Sequence, residues 1–345
     1  MTKILDLFTG IGGFVEAANQ IGGIEHVGLC EIDKACQELL KVKFPDVTLY
    51  TDVTKIDTNG LSFDLLCGGF PCQPYSRNGK YYNKNNKVVP KTEERANLFL
   101  EVVRILKVNQ PKAFLLENVK ELLTIKNEDG DNFIDVIFDE LRSAGYSVKC
   151  KVICPTDFGI PQQRKRVFIV GIRLDIQNTF AYPDNEDLTK TVNDYMDDSV
   201  DSKYLLENLW RNRKLNKNKL ISRFDALKAA YESGEWKPLV SPDRSKSIHP
   251  VAIIYGDTPS GLPRQQDKLY SAFGISPTIA TFSTPSFDHR NGWRVLTPRE
   301  CLRLQSFPES HPILHKDSAA YKQAGNAVNV EVAKRVIENI LKVIG

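Results

Sequence analysis

The stretch KILDLFTGIGGF, residues Lys3–Phe14, decides the fold class of this chain. Its first half is apolar and predicts a strand over Lys3–Phe8. Glycines follow, and a helical pattern begins near Gly13. Glycines between a strand and a helix let a ligand approach the backbone closely, and the start of the helix offers free N–H groups. A ligand-binding turn at the end of the first strand is therefore expected.

Short apolar runs alternate with amphipathic segments through the first half of the chain. The runs are Lys3–Phe8, Glu25–Cys30, Val47–Tyr50, Phe63–Cys67, Ala113–Leu116, Val148–Ile153 and Val167–Ile172, and the helical segments include Lys34–Lys43, Glu93–Leu106 and Phe133–Leu141. This alternation predicts an α/β fold, with a Rossmann-like, mostly parallel sheet covered by helices on both faces.

The alternation fades after Ile172, where proline and serine clusters indicate a smaller, irregular second domain. Thr297-Pro298-Arg299-Glu300 has the pattern of a capping box and predicts a helix start. The apolar spacing over 326–344 suits a helix that packs back on the first domain. The expected domains are residues 1–178 with 320–345, and residues 179–319.

Composition narrows the class of protein. The 345 residues are 41% hydrophobic and 26% charged, with a net charge of +3, as in an ordinary globular protein. No run approaches the ~20 apolar residues of a membrane span, and no signal peptide pattern precedes the first strand, so a cytoplasmic location is expected. Seven cysteines without zinc-ligand spacing argue against a disulfide framework and against a metal site.

Two acids stand at the ends of successive strands. Glu31 ends the second strand, where an acid suits the hydroxyls of a ribose. Asp52 follows the third strand and could accept a hydrogen bond from an adenine amino group. Together with the glycine-rich turn they indicate an adenosine-bearing ligand, which could be a dinucleotide or S-adenosylmethionine.

A loop that contains a cysteine distinguishes between these two possible ligands. Cys72 lies in GGFPCQPYS, after the fourth strand and at the start of a long loop that runs to about Thr92. This is a suitable place for a nucleophile in a loop that can move. Glu117 follows the next strand and is expected at the same edge of the sheet. Arg164 and Arg166 precede a later strand, so they could reach the same cleft.

The chain resembles the DNA cytosine-5 methyltransferases over nearly its whole length. Six of that family's motifs occur in order: Asp6–Phe14, Gly69–Ser76, Glu117–Val119, Gln162–Arg166, Arg294–Pro308 and Gly325–Val328. The irregular segment between Ile172 and Arg294 falls where the family has its target recognition domain.

The resemblance implies S-adenosylmethionine as the cofactor, with S-adenosylhomocysteine as its product. Its pocket would be lined by Phe8, Gly10, Gly12, Phe14, Glu31, Ile32, Asp52, Val53, Pro71, Leu98, Asn326 and Val328, with Phe14 packed on the adenine. The catalytic residues would be Cys72, which attacks carbon 6 of cytosine, Glu117, which holds the base, and Arg164 and Arg166, which brace the ring and the cysteine loop. Residues expected to contact DNA are Gln73, Ser76, Lys80, Lys84, Lys87, Thr278 and Ile279.

The chemistry agrees with these roles. Carbon 5 of cytosine is a poor nucleophile until a thiolate adds to carbon 6, and a hydrogen bond at N3 stabilises the charge that develops. Nearby arginines would lower the pKa of Cys72. Since carbon 6 is hidden within a duplex, the base must flip out.

Three other functions compete with this interpretation. Some relatives methylate transfer RNA, but they typically carry a Cys-Phe-Thr element, and this chain has no cysteine between Cys154 and Cys301. A DNA-binding regulator would not need an intact Cys72 and Glu117, and a nicotinamide-dependent oxidoreductase would not explain the cysteine loop. The expected partners are duplex DNA and, in the cell, a cognate restriction endonuclease without a stable complex; a monomer is expected.

Overall fold

The computed structural model describes residues 1–71, 81–82, 88–89, 92–126, 132–206, 208, 229, 233, 248, 250–253, 268–281, 284–289 and 292–345. At 81–82, 88–89, 92–97 and 250–253 it describes the backbone alone. The chain forms two compact units. The first comprises Met1–Ile153, Lys165–Asp184 and Ala327–Gly345, and the second comprises Cys154–Arg164 and Asn185–Asn326.

A seven-stranded sheet forms the centre of the first unit. Its strands are β1 (Thr2–Leu7), β2 (Ile24–Cys30), β3 (Leu49–Tyr50), β4 (Leu65–Gly68), β7 (Ala113–Val119), β8 (Tyr146–Ile153) and β10 (Arg166–Arg173), and β5 (Tyr81–Tyr82) pairs separately with β6 (Val88–Val89). The order is β3-β2-β1-β4-β7-β10-β8, and only β10 runs against its neighbours. The strand order reverses beside β1, and ligands of open α/β sheets bind at the carboxyl ends of the strands at such a point.

Helices on both sides of this sheet bury its apolar faces. They are α1 (Gly13–Ile21), α2 (Lys34–Lys43), α3 (Thr92–Asn109), α4 (Phe133–Ser143) and a C-terminal helix, Val330–Ile344. Leu5 and Leu7 are fully buried with residues of α3 and α4 in one core cluster, and Leu29 and Leu40 belong to another. The C-terminal helix packs on α1, as its apolar spacing predicts.

The observed strands differ from the predicted ones in several bounds, such as β3 (Leu49–Tyr50) and β4 (Leu65–Gly68), and two of the differences matter for the site. β7 extends to Val119, past the predicted end at Leu116, because β10 pairs antiparallel with it and continues the ladder. Glu117 therefore lies inside the strand and faces Phe168 in the register. β1 ends at Leu7, and Phe8 takes a left-handed conformation with φ 55°.

The second unit has a small sheet of its own. Its strands are β11 (Pro250–Ile253), β12 (Lys268–Ser271), β14 (Ser286–His289) and β15 (Gly292–Val295), and a separate pair joins β9 (Gln162–Gln163) to β13 (Ser276–Pro277). Two helices follow, α5 (Pro298–Leu304) and α6 (Asp317–Asn326), so that the C-terminal helix of the first unit is α7. Thr297 caps α5 with the predicted capping box.

The fold class predicted from the alternation of strands and helices is confirmed, with a mostly parallel sheet and a smaller, irregular region. The expected domain boundaries at 178/179 and 319/320 stay a prediction. In the described part of the chain, no helix is long and apolar enough to cross a membrane.

Candidate active site

The turn after β1 is held against the end of β2. The Thr9 backbone N–H donates to the Cys30 carbonyl at 2.9 Å, and the Cys30 N–H donates to Thr9 Oγ1 at 3.2 Å. Gly12 caps α1, and a Cβ on Gly13 would lie 2.5 Å from Val328 Cγ1, so only glycine fits beneath the start of α7. The glycine-rich turn therefore has one defined shape.

Glu31 is the polar centre of this region. Its Oε2 accepts from the Gly10 N–H at 2.7 Å, and its Oε1 accepts from the Asp33 N–H at 2.7 Å. Burial raises the pKa of Glu31, and these backbone donors oppose the rise. A carboxylate has about four lone-pair sites, so Glu31 keeps capacity for further donors such as ribose hydroxyls.

Asp6 is a buried acid to which sequence reasoning assigned no role. Its side chain is 1% exposed at the end of β1. Burial, and then the nearby Glu31 carboxylate, raise the pKa of Asp6 well above its usual value. The signals in the sequence were its place near the end of an apolar strand and at the start of the motif Asp6–Phe14. This environment favours the protonated form of Asp6 beside the turn.

Asp52 shapes the next strand end. Its Oδ1 accepts a hydrogen bond from the Thr54 N–H at 3.0 Å. Hydrogen bonds from the side chain and backbone of Thr54 lower the pKa of Asp52, and the nearby Lys55 lowers it further. Ile32, beside Glu31, is 74% exposed, although it is apolar. Of the other predicted cofactor residues, Phe14, Val53 and Val328 are buried, Phe8 and Leu98 pack at the edge of the core, Pro71 is half-buried, and Asn326 is exposed in the second unit.

Glu117 and Arg166 form an ion pair at the same edge of the sheet. Arg166 Nε lies 3.1 Å from Glu117 Oε1, and the two side chains are 17% and 13% exposed. The antiparallel pairing of β7 and β10 brings them together. A Cβ on Gly69 would lie 3.5 Å from Glu117 Oε2, so this carboxylate borders the segment that leads to the cysteine loop.

Asn118 is a second residue that sequence reasoning left without a role. It is 2% exposed, and its Nδ2 donates to the Phe70 carbonyl at 3.1 Å. Its Oδ1 accepts from the Val119 N–H at 2.9 Å. Both ends of the amide are thus engaged, and Asn118 holds the backbone two residues before Cys72. The signal in the sequence that could have indicated this role was the side-chain amide of Asn118 within the motif Glu117–Val119.

Arg164, 3% exposed, lies in the second unit. Its Nη2 donates to the Gly325 carbonyl at 2.9 Å, and its Nη1 donates to the Ile279 carbonyl at 3.3 Å. Ile279 is buried, and Thr278 Oγ1 donates to the Gln163 carbonyl at 2.6 Å. The remaining predicted residues lie outside the described part of the chain: Cys72, Gln73, Ser76, Lys80, Lys84 and Lys87.

Comparison with known proteins shows the family to which the chain belongs. The family model of the C-5 cytosine-specific DNA methylases matches residues 2–342. The chain is 34% identical over 347 residues to the type II methyltransferase M.DsaV of Dactylococcopsis salina, which covers 99% of this chain and 86% of that protein. It is also 34% identical over 348 residues to the type II methyltransferase M.HpaII of Haemophilus parainfluenzae, covering 99% and 89%.

A solved structure shares the fold. The Entamoeba histolytica methyltransferase EhMeth superposes with a TM-score of 0.68 over 99% of this chain and 98% of that one, at 16% identity. The match of the family model spans both units, from the glycine-rich turn to α7. The chain therefore belongs to the family of C-5 cytosine-specific DNA methylases and is a DNA (cytosine-5-)-methyltransferase.

Proposed function

We propose that the protein transfers the methyl group of S-adenosylmethionine to carbon 5 of a flipped-out cytosine in a specific duplex sequence, with Cys72 as the nucleophile. The observation that carries this proposal is the Glu117–Arg166 ion pair on the neighbouring strands β7 and β10, next to Gly69. Asn118 fixes Phe70 on the same approach to Cys72. A carboxyl group and the start of the cysteine loop are thus held side by side.

The turn at β1 suits the proposed cofactor. Glu31 would accept hydrogen bonds from the ribose hydroxyls. Exposed Ile32 offers an apolar surface for the adenine, and Asp52 would accept a hydrogen bond from the adenine amino group. A Cβ on Gly10 would meet no atom within 4 Å, so there is open space beside the turn. When bound, S-adenosylmethionine supplies an electrophilic methyl group on a sulfonium.

In the proposed reaction this chain supplies the nucleophile and the group that protonates the base. The Cys72 thiolate adds to carbon 6, which forms a C–S bond and moves the π electrons towards carbon 5. Glu117 would donate a proton to N3 as this bond forms, which neutralises the charge that develops, and Arg166 would keep the carboxyl group oriented. Carbon 5 would then take the methyl group that S-adenosylmethionine supplies, with S-adenosylhomocysteine as the product. A base removes the carbon 5 proton, N3 returns its proton to Glu117, and the electrons restore the double bond and expel Cys72 as a thiolate.

Partners follow from this chemistry. The base must leave the duplex, at a cost of a few kcal/mol. Lys80, Lys84 and Lys87, which lie outside the described residues, would contact phosphates. The relatives M.DsaV and M.HpaII are type II methyltransferases, which supports a role as the modification arm of a restriction-modification system. A cytoplasmic monomer suffices, because a palindromic site can be methylated one strand at a time.

The first experiment measures label transfer from methyl-labelled S-adenosylmethionine to a mixed-sequence duplex and to transfer RNA. Wild type, Cys72→Ala and Cys150→Ala are compared; Cys150, on β8, is a half-buried free cysteine and serves as the control. We expect label in duplex DNA with wild type and Cys150→Ala only, and 5-methylcytosine at one sequence motif. Label in transfer RNA alone would reject the DNA substrate, and label with Cys72→Ala would reject the nucleophile.

A second experiment tests the covalent step. With S-adenosylmethionine and a duplex that carries 5-fluorocytosine at the mapped site, methyl transfer leaves fluorine in place of the proton that a base would remove from carbon 5, so Cys72 cannot be expelled. We expect a protein–DNA adduct that survives denaturation with wild type and with Cys150→Ala, but not with Cys72→Ala. Absence of an adduct in an active enzyme would exclude the C–S bond.

A further inference from the structure

Arg164 joins two separate chain segments of the second unit. The guanidinium is 3% exposed and donates to the carbonyls of Gly325 and Ile279. A planar guanidinium holds its donors in a rigid fork. Both acceptors are backbone atoms, so the contact fixes the main chain of each segment.

The two segments also touch each other directly. A Cβ on Gly325 would lie 2.7 Å from the Thr281 nitrogen and 2.8 Å from the Ala280 carbonyl carbon, so the backbones pack together without room for a side chain. Gln305, fully buried, donates through Nε2 to the Ala324 carbonyl at 2.9 Å. The position of the backbone at Gly325 is therefore fixed by several contacts.

The segment with Thr278 is tied to Arg164 a second time. Ser276 and Pro277 of β13 pair in parallel with Gln162 and Gln163 of β9, directly before Arg164. The Ser276 N–H also donates to the Pro161 carbonyl at 2.7 Å. Residues expected to meet DNA thus share one backbone network with Arg164.

The other arm of the network leads to Asn326, one of the residues expected to contact the cofactor. Asn326 follows Gly325 directly, and its side chain is exposed. A shift of the Gly325 peptide would therefore move Asn326.

We propose that Arg164 is a positioning residue that sets the backbone at Gly325 and Asn326, and thereby the affinity for the cofactor, before any DNA is bound. This inference rests on the proposed function, since it assumes S-adenosylmethionine and a pocket that includes Asn326. It differs from a role in bracing the target base, because a base-bracing arginine affects only the complex with DNA.

The test measures binding of S-adenosylhomocysteine by calorimetry without DNA. Arg164→Ala should weaken binding about tenfold, the effect of losing one well-placed hydrogen bond between the displaced Asn326 and the cofactor, and Arg164→Lys should recover part of the loss. Gly325→Ala leaves Arg164 in place but forces the backbones apart, and it should weaken binding as Arg164→Ala does. Hydrogen exchange should rise at 278–281 and 324–328 in both alanine variants.

Arg299→Ala is the matched control. Arg299 also donates to a backbone carbonyl of the second unit, that of His311 at 2.8 Å. It should lower the melting temperature but change the affinity less than threefold. Equal losses of affinity in Arg299→Ala and Arg164→Ala would reduce Arg164 to a structural residue and overturn the proposal.

Two further outcomes separate this inference from the proposed function. If the folded Arg164→Ala and Gly325→Ala variants bind S-adenosylhomocysteine as tightly as wild type and only methylation is reduced, the positioning role is overturned. Arg164 would then act on the target base. Failure of the wild type itself to bind S-adenosylhomocysteine would overturn the cofactor assignment, and with it this inference.

Discussion

Replacement of Glu300 by alanine would remove the acid of a fully buried ion pair. Glu300 is 0% exposed, and its two oxygens accept from both terminal nitrogens of Arg294 at 2.7 and 2.8 Å. They also accept from the backbone N–H groups of Asp197 at 2.6 Å and Thr297 at 2.7 Å. Four hydrogen bonds would be lost with one side chain.

The size of the effect follows from what remains. Arg294, 1% exposed, would keep its bonds to the carbonyls of Val295 and Asp197 but would have lost this carboxylate. Breaking a buried pair by removing one partner costs about 3–5 kcal/mol. For a unit of this size, 1 kcal/mol corresponds to about 2–4 °C in melting temperature, so a fall of about 10 °C is expected.

Thermal and urea denaturation of wild type and variants would measure this cost. Glu309→Ala is the control, because Glu309 pairs with Arg303 at the surface with a 63% exposed side chain, and such pairs contribute about 1 kcal/mol or less. Replacing Arg294 by methionine and Glu300 by leucine together should cost less than Glu300→Ala alone. A melting temperature of Glu300→Ala within about 2 °C of that of Glu309→Ala would refute the reasoning.

Three other substitutions have expected outcomes. Because the pKa of Asp6 is raised in the folded state, its contribution to stability is complete below the pKa of the unfolded state, about 4, and is lost as pH rises through the pKa of the folded state. In urea titrations, Asp6→Asn should therefore become more stable relative to wild type as pH rises. Free energies of unfolding that change in parallel with pH would contradict this. Gly13→Ala should lower stability and cofactor binding, because its Cβ meets Val328 at 2.5 Å; unchanged calorimetric affinity would show that the turn adapts. Asn118→Ala should lower kcat about tenfold or more by releasing the Phe70 carbonyl, measured as label transfer; full activity would exclude this role.

Much of the first unit could be predicted from local patterns. Apolar runs of strand length, such as Lys3–Phe8 and Ala113–Leu116, overlap observed strands, because a strand covered on both faces needs a continuous apolar sequence. The capping box at Thr297 is also local, since its bonds join residues three positions apart. The family resemblance rested on motifs of the same local kind.

The antiparallel direction of β10 and the full length of β7 could not be predicted in this way. Both depend on which strand pairs with which, and pairing partners such as Phe168 and Glu117 are about fifty residues apart. No local periodicity carries that information, because hydrogen bonds between strands form only after the chain has folded.

The sequence by itself determined the α/β class, the glycine-rich turn after the first strand and the residue types that place the chain among the cytosine methylases. Tertiary structure decided what those residues contact: Arg166 meets Glu117, whereas Arg164, two positions earlier, meets the carbonyls of Gly325 and Ile279. The two arginines have the same chemistry in the same motif. Their partners differ because a side chain's environment is set by segments that arrive from distant parts of the chain, and a buried donor must bond to whatever acceptor those segments present.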